Sequence, residues 1–337
     1  MSAIVSNPCF LIVGFGSIGR RHLSNLNKMS PSSKVVVLRT FKKNTSSPVL
    51  VEGSHTEISS LDEINPLSIV GAIIATPAPM HLEMAAKLAQ LKIPMLIEKP
   101  LCSDLEDAQS FRKMGADGSA LILIGYNFRF SRAANHVKDS IQRGLLGTAL
   151  TASIEMGFYL PDWRPSQDYR ESVSANKHLG GGALLELSHA LDLYLWFFGM
   201  PTSLVATLRK ISHLQTDVED CADLILESER EKFMATIHLD MLQRKACRTF
   251  KIVGSEGTLS WNMVDNSIQL TKANFEEVLT LSEPEDWNDM YLNELKHFLN
   301  CIHEKERPKV TFQDGLDVMK LVAAARQSSR TKAMVTL

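Results

Sequence analysis

The chain has 337 residues, 45% of them apolar, which is enough for two domains with ordinary hydrophobic cores. Lys and Arg (36) nearly balance Asp and Glu (38), and the formal charge of -2 excludes a broad basic field for nucleic acid while leaving room for a local basic pocket. No run approaches about 18 uninterrupted apolar residues, so no membrane-spanning helix is expected, and Cys9–Val13 is too short an apolar run for a secretory leader, so a cytoplasmic location is expected.

In chain order, Cys9–Val13, Lys34–Leu38, Ile69–Ala75, Pro94–Ile97 and Leu121–Gly125 read as strands, and Ile18–Met29, Met80–Leu91 and Leu105–Met114 as the helices between them. That alternation predicts βαβ units and a parallel sheet covered on both faces. Gly14-Phe15-Gly16-Ser17-Ile18-Gly19 places G-x-G-x-x-G after the first strand and at the start of the first helix. Gly14 permits the tight turn, Gly16 lets the backbone approach a pyrophosphate, and Gly19 lets helix and strand pack closely; the helix-start amides at Ser17 and Ile18 then face the phosphates. The second strand ends Leu38-Arg39-Thr40, followed by Phe41-Lys42-Lys43, without the carboxylate that an NAD site usually offers the ribose. Arg39, supported by Thr40 and Lys42 or Lys43, suits a 2′-phosphate, so NADP is expected ahead of NAD; the alternative is a solvated basic loop.

Ala75-Thr76-Pro77 and Ile97-Glu98-Lys99-Pro100 end two further strands, where ligands of open α/β sheets collect. Thr76, Pro77, Glu98 and Lys99 are candidates for the cofactor site, and Lys99 also for donating to a substrate hydroxyl. His81, at the start of the next helix, is either a cofactor neighbour or a packing histidine. Five scattered cysteines (Cys9, Cys102, Cys221, Cys247, Cys301), with no metal-ligand spacing, read as reduced and mostly buried thiols, with Cys102 an alternative reactive thiol; no metal is expected.

Near Gly144 the texture changes. Thr148–Tyr159, Leu204–Ile211, Cys221–Leu226, Lys232–Leu242 and Arg248–Val253 are long strand patterns, some alternating as antiparallel strands with one wet face do, and residues 254–257 signal a turn. Helical patterns cover Ala183–Phe198, Asp286–His303 and Gln313–Ser328. The fold class expected is α/β plus α+β: a Rossmann domain over residues 1–126, then a substrate domain over 127–337 with a large open, mostly antiparallel sheet, its closing helices free to pack back on the first domain. Phe158–Pro165 continuing to Arg170 mixes aromatics, which suit sugar C–H faces, with arginines, which suit carboxylates or phosphates. Tyr159, Trp163, Arg164 and Tyr169 are therefore substrate-binding candidates in a lid-like loop; the alternative is a packed loop that braces the domain interface.

The glycine turn, Ala75-Thr76-Pro77 with His81, Glu98-Lys99-Pro100, and Gly180-Gly181-Gly182 leading to His189 and Asp192 together resemble the glucose–fructose oxidoreductase / inositol dehydrogenase (Gfo/Idh/MocA) family over nearly the whole chain, through Asp314-Gly315 and the final Val335-Thr336-Leu337. The resemblance implies a Rossmann domain, then a mixed-sheet domain through which dimers or tetramers assemble. It also implies reversible hydride transfer between nicotinamide and a sugar, cyclitol or related carbon. It maps catalytic roles onto Lys99 and His189 and places Asn127 and Arg129 beside nicotinamide and substrate. The family commonly has Asp four residues before the histidine; here Leu185 stands there and Glu186 lies three before, on the same helical face. The segment 159–182 resembles a branch acting in surface-polysaccharide sugar metabolism, which implies an acidic or nucleotide-linked sugar.

Alcohol oxidation needs a hydride acceptor, a proton acceptor and a donor that steadies the oxygen; nicotinamide, His189 and Lys99 supply them in this reading, provided the two side chains converge on one reactive ring. Glu186 is a candidate to orient His189 or bind a second hydroxyl, Asp192 to hold the imidazole or form a surface pair, and Arg129 to bind substrate or form an interdomain ion pair. The competing class is a non-catalytic NADP-binding sensor or scaffold on the same fold.

Overall fold

Among the described residues, six strands form the first sheet: β1 (Cys9–Val13), β2 (Lys34–Leu38), β3 (Thr56–Ile58), β4 (Ile69–Ile74), β5 (Met95–Glu98) and β6 (Ile122–Gly125). All pairs are parallel, in the order β3-β2-β1-β4-β5-β6. β1, β2 and β4 to β6 are buried almost throughout, which is why they read as apolar runs in the sequence. β3 is three residues long and half exposed, so it leaves no hydrophobic period to detect. The strand order reverses between β1 and β4, the position at which doubly wound sheets bind nucleotides beyond their carboxyl ends. The computed structural model describes residues 8–39, 55–229, 232–273, 275–280, 286–304 and 306–337; Thr40, Lys42 and Lys43 lie outside them.

The chain divides into two units. The first comprises the residues through Asn127 together with Asn288–Leu316; the second comprises Phe128–Trp287 and Asp317–Leu337. In the first unit, helix Ser17–Met29 buries Gly19, His22, Leu23, Asn25 and Leu26, a stripe at helical spacing. Helix Asp289–His303 packs against it and buries Met290, Glu294, Leu295, Phe298 and Cys301.

Among the described residues, the second unit is built on nine strands: β7 (Ala149–Gly157), β8 (Ser203–Arg209), β9 (Cys221–Ser228), β10 (Phe233–Asp240), β11 (Cys247–Gly254), β12 (Thr258–Asn262), β13 (Ser267–Lys272), β14 (Phe275–Thr280) and β15 (Val335–Thr336). Their order is β14-β13-β12-β11-β7-β10-β9-β8-β15, and every pair is antiparallel except β7 with β10. One face carries Ile154, Leu224, Ala235, Ile237, Phe250 and Ile252, all buried. Helix His189–Phe198 packs on this sheet, and Phe197, Phe198, Phe233 and Phe250 form an aromatic cluster with ring centroids 4.5–6.2 Å apart.

The helix expected over Ala183–Phe198 is interrupted. It forms as Ala183–Glu186 and His189–Phe198, with Leu187 and Ser188 between them. The break is tightened to three-residue bonding: Ser188 N–H donates to Leu185 O at 3.3 Å and Ala190 N–H to Leu187 O at 3.0 Å. Apolar periodicity runs straight through this turn, so the sequence does not reveal it.

Candidate active site

The glycine turn joins β1 to helix Ser17–Met29 with room on one side only. Gly14 has φ +92°, and a Cβ there would lie 2.6 Å from the Ala75 carbonyl oxygen. A Cβ on Gly19 would lie 2.3 Å from the Gly14 oxygen, whereas one on Gly16 would meet nothing within 4 Å. Gly16 is the helix N-cap, and neither a side-chain cap nor a first-turn acid competes for the amides that follow. A closed floor, an open roof and uncapped amides suit a dinucleotide pyrophosphate. Thr76 Oγ1, at the end of β4, is buried without a hydrogen-bond partner, and Asn127, buried after β6, has neither amide atom in a well-formed bond. These groups fit a nicotinamide dinucleotide, whose polar atoms would satisfy them.

At the end of β2 the structure supplies a carboxylate that the local sequence lacks. Glu57 of β3 is in register with Val37 and pairs with Arg39, at 2.8 Å to Nε and 3.1 Å to Nη2. Burial alone would raise the Glu57 carboxyl, but hydrogen bonds from His55 and Arg39 hold it below its usual range. Arg39 also lies 5.3 Å from the Phe15 ring centroid, and Arg20 covers that ring at 4.9 Å.

His81 is a packing residue. It is 1% exposed, with Nδ1 2.9 Å from the Pro100 oxygen and Nε2 2.7 Å from the Thr76 oxygen, so it ties together the turns after β4 and β5. Burial holds its pKa below the usual imidazole value, so the ring is neutral and one of the two contacts carries the proton. Pro77 caps the short turn that leads to it. Cys102 is buried and donates to the Asp104 carbonyl; burial, aided by Asp107, pushes its thiol up to about 12, which removes it as a reactive nucleophile.

Glu98 and Lys99 close β5. Glu98 is buried and accepts from His22 at 2.6 Å; a Cβ on Gly125 would lie 3.1 Å from its second oxygen, so that glycine makes room for the carboxylate. His22 and Glu294, both fully buried, join Glu98 in a group whose ligand-type atoms lie within 4.8 Å of one another. His22 and Glu294 were not singled out from the sequence; a histidine on the buried stripe of the first helix was the available signal.

In the second unit, Arg129 is paired with Asp192. Nε lies 3.1 and 3.0 Å from the two carboxylate oxygens and Nη2 lies 2.7 Å from one of them, with both side chains buried. Asp192 therefore does not form a surface pair; a buried guanidinium requires a carboxylate of its own. His189 begins helix His189–Phe198. Its ring meets Phe128 edge-on at 4.8 Å, and Phe128 meets Trp287 edge-on at 5.6 Å.

The glycine triplet shapes the approach to this helix. Gly180 and Gly182 have φ +81° and +109°; a Cβ on Gly181 would lie 2.4 Å from the Val173 oxygen, and one on Gly182 would lie 2.4 Å from Glu219 Oε1. Glu219 accepts from the Leu184 amide at 3.2 Å, a role unread in the sequence, and burial raises its carboxyl pKa. Glu186 ends the short helix and accepts from Ser174 Oγ at 3.1 Å. Residues three apart eclipse in a three-residue turn, which gives the Glu186–His189 spacing a local reason.

Trp163, Arg164 and Tyr169 line a small cleft with Gln167 and Ser174. Through Ser174 this cleft reaches Glu186. Tyr159 is outside the lining; its ring is covered by Arg244 at 3.6 Å. Trp163 packs on Phe158 at 4.0 Å, and the Tyr169 hydroxyl accepts from the Gln215 amide at 3.1 Å.

Family models match both parts of the chain. Residues 9–126 match the NAD-binding Rossmann fold of the Gfo/Idh/MocA oxidoreductase family, and residues 138–337 its C-terminal alpha/beta domain. The chain is 28% identical to the rhizopine catabolism protein MocA of Rhizobium meliloti over 196 residues, covering 57% of this chain and 58%, less than two thirds, of that protein. It is 22% identical to scyllo-inositol 2-dehydrogenase (NADP(+)) IolW of Bacillus subtilis, covering 83% of this chain and 82% of that one. The crystal structure of the WlbA dehydrogenase from Bordetella pertussis, in complex with NADH and UDP-GlcNAcA, matches with a TM-score of 0.79 at 21% identity, over 98% of this chain and 99% of that one; at this identity the likeness shows the fold.

Proposed function

The chain belongs to the Gfo/Idh/MocA oxidoreductase family, and from that premise we propose that it moves a hydride reversibly between NADP(H) and a secondary hydroxyl or ketone of an acidic or nucleotide-linked sugar. The observation that carries the reading is the glycine turn, closed at Gly14 and Gly19 and open at Gly16. Gly14, Gly16 and the amides of Ser17, Ile18 and Gly19 would hold the pyrophosphate, and Thr76 and Asn127 would meet polar atoms of the cofactor. When bound, the nicotinamide supplies the acceptor for the hydride from the carbinol carbon. His189 takes the hydroxyl proton as the carbonyl forms, and Lys99 donates to the reacting oxygen and steadies its negative charge. Glu186, steadied by Ser174, accepts from a neighbouring hydroxyl.

The substrate class is supported by the cleft, where Trp163 and Tyr169 offer faces to sugar C–H groups and Arg164 offers a cation to a carboxylate or phosphate. It is also supported by WlbA, whose structure contains UDP-GlcNAcA. The preference for NADP rests on Arg39. Its bond to Glu57 is partly exposed, at 32% and 43%, and such pairs contribute about 1 kcal/mol or less, so a 2′-phosphate dianion displaces the carboxylate. Homodimers or tetramers through the large sheet fit its open face, where Val205 and Ile225, paired across β8 and β9, are 37% and 44% exposed.

The test is turnover across a panel of sugar acids, nucleotide sugars, neutral sugars and cyclitols with NADP(H) and NAD(H). Reduction or oxidation of an anionic sugar, faster with NADP(H), is expected. Exclusive use of neutral cyclitols would remove the substrate class, and tight NADPH binding without turnover on any member would replace the enzyme by a sensor.

A further inference from the structure

His22, Glu98 and Glu294 meet in the first unit from three separate elements: the helix that follows the glycine turn, the end of β5 and helix Asp289–His303. His22 and Glu294 are 0% exposed, and Glu98 is 7% exposed. The His22–Glu98 bond is short, at 2.6 Å. Both oxygens of Glu294 are buried without a hydrogen-bond partner, although the nearest nitrogen and carboxylate atoms of the other two residues lie within 4.8 Å. The Tyr291 ring stands edge-on to His22 at 6.3 Å, and Arg21 lies over that ring at 4.4 Å.

Two ionised carboxylates in one dry site repel strongly, and they are tolerated only with a proton or a cation between them. A separation beyond direct bonding but under 5 Å is the span of one bridging water. The 2.6 Å His22–Glu98 contact is a hydrogen bond; two ligands of a single metal ion stand further apart than this, which favours the proton over a cation. Burial and the neighbouring Glu98 both raise the Glu294 carboxyl well above its ordinary value.

We propose that His22, Glu98 and Glu294 form one positioning cluster for Lys99, in which Glu294 is the neutral carboxylic acid and His22 fixes the Glu98 carboxylate. Glu98 precedes Lys99 directly, so the bond from His22 ties the direction of the lysine to the helix of the glycine turn. The inference rests on Lys99 acting on the substrate, as argued above. It assigns to His22 and Glu294 a role in orientation, without contact with substrate or cofactor.

Two measurements test it. Infrared spectra at neutral pH are expected to show a protonated-carboxyl C=O stretch in the parent enzyme that Glu294→Gln removes. His22→Phe, which deletes the donor and keeps the volume filled, is expected to lower kcat about 10- to 100-fold with KM and the NADPH Kd within about twofold, the scale of effect a displaced catalytic group produces. His22→Gln, which restores an N–H, is expected to recover most of that loss. The proposal is overturned if no acid band disappears, if the parent carries a stoichiometric divalent metal that Glu294→Gln loses, or if the two His22 variants share one kcat. Should His22→Phe fail to fold, the infrared result and the His22→Gln kinetics still decide. A Lys99→Ala enzyme with parental turnover would instead remove the active-site reading and leave the infrared result standing.

Discussion

The two glycine-rich turns of this chain look alike in sequence and do opposite things. Gly14-Phe15-Gly16 and Gly180-Gly181-Gly182 each lead into a helix, and each contains a glycine with φ near +100° (Gly14 at +92°, Gly182 at +109°). Above Gly16 there is open space, and the helix it caps has no side-chain cap of its own. Above Gly182 stands the protein's own carboxylate, Glu219, which already accepts from the Leu184 amide. A turn left open invites an anion; one already filled by a carboxylate serves to pack the short helix that carries Glu186. The glycines alone do not distinguish the two cases, and the neighbours do.

Paired substitutions break or sharpen this contrast. Gly182→Ala is expected to lose about 2–3 kcal/mol of stability in chemical denaturation, from a strained φ and a clash with Glu219, while the NADPH Kd of the folded protein stays put. Gly16→Ala is expected to do the reverse, keeping the melting temperature and weakening NADPH about tenfold, or ~1.4 kcal/mol, because the methyl occupies the space the pyrophosphate needs. At the same end of the first sheet, Arg39→Ala is expected to weaken NADPH about tenfold or more in a titration and NADH hardly at all, since a charge-assisted bond to a phosphate contributes about 1.5–3 kcal/mol. Glu57→Gln is expected to tighten NADPH by about two- to fivefold, by releasing Arg39 from an exposed pair.

The filled turn also has a pH signature. The folded Glu219 carboxyl is raised by burial, so its stabilising contribution is full below the unfolded carboxylate pKa and declines as pH rises through the folded value. Glu219→Gln keeps an acceptor for the Leu184 amide and removes the titration. Its melting temperature is expected to gain on the parent as pH rises above the ordinary carboxylate range, and to show no gain below that range. A constant offset above and below it would show that Glu219 does not titrate with the fold.

Five strands of the first sheet were legible because they are buried almost throughout and leave apolar runs, and because the order of glycines after β1 is itself a geometric statement. Residues such as Lys99 and Glu98 could be placed at the carboxyl edge of that sheet from strand ends alone. What remained hidden were pairings over long stretches of chain. Glu57 reaches Arg39 across 18 residues, His22 reaches Glu98 across 76, and Arg129 reaches Asp192 across 63. A buried charge requires a partner, but the sequence does not say which one. Arg129 and Asp192 were each read as open to other roles because both types are common at sites. β12, β13 and β15 went unread for a different reason: at five, six and two residues in a half-wet sheet they carry at most three inward residues each, below what a period of two can signal.

We propose that Lys99 and His189 carry out the chemistry while other groups hold the cofactor. This is tested most directly by measuring turnover and NADPH affinity together in Lys99→Ala and His189→Ala, on the best substrate of the panel. A fall in kcat of about 100-fold or more is expected in each variant, with the NADPH Kd within a few-fold of the parent. Turnover near the parental rate in either variant, with the cofactor still bound, would contradict it.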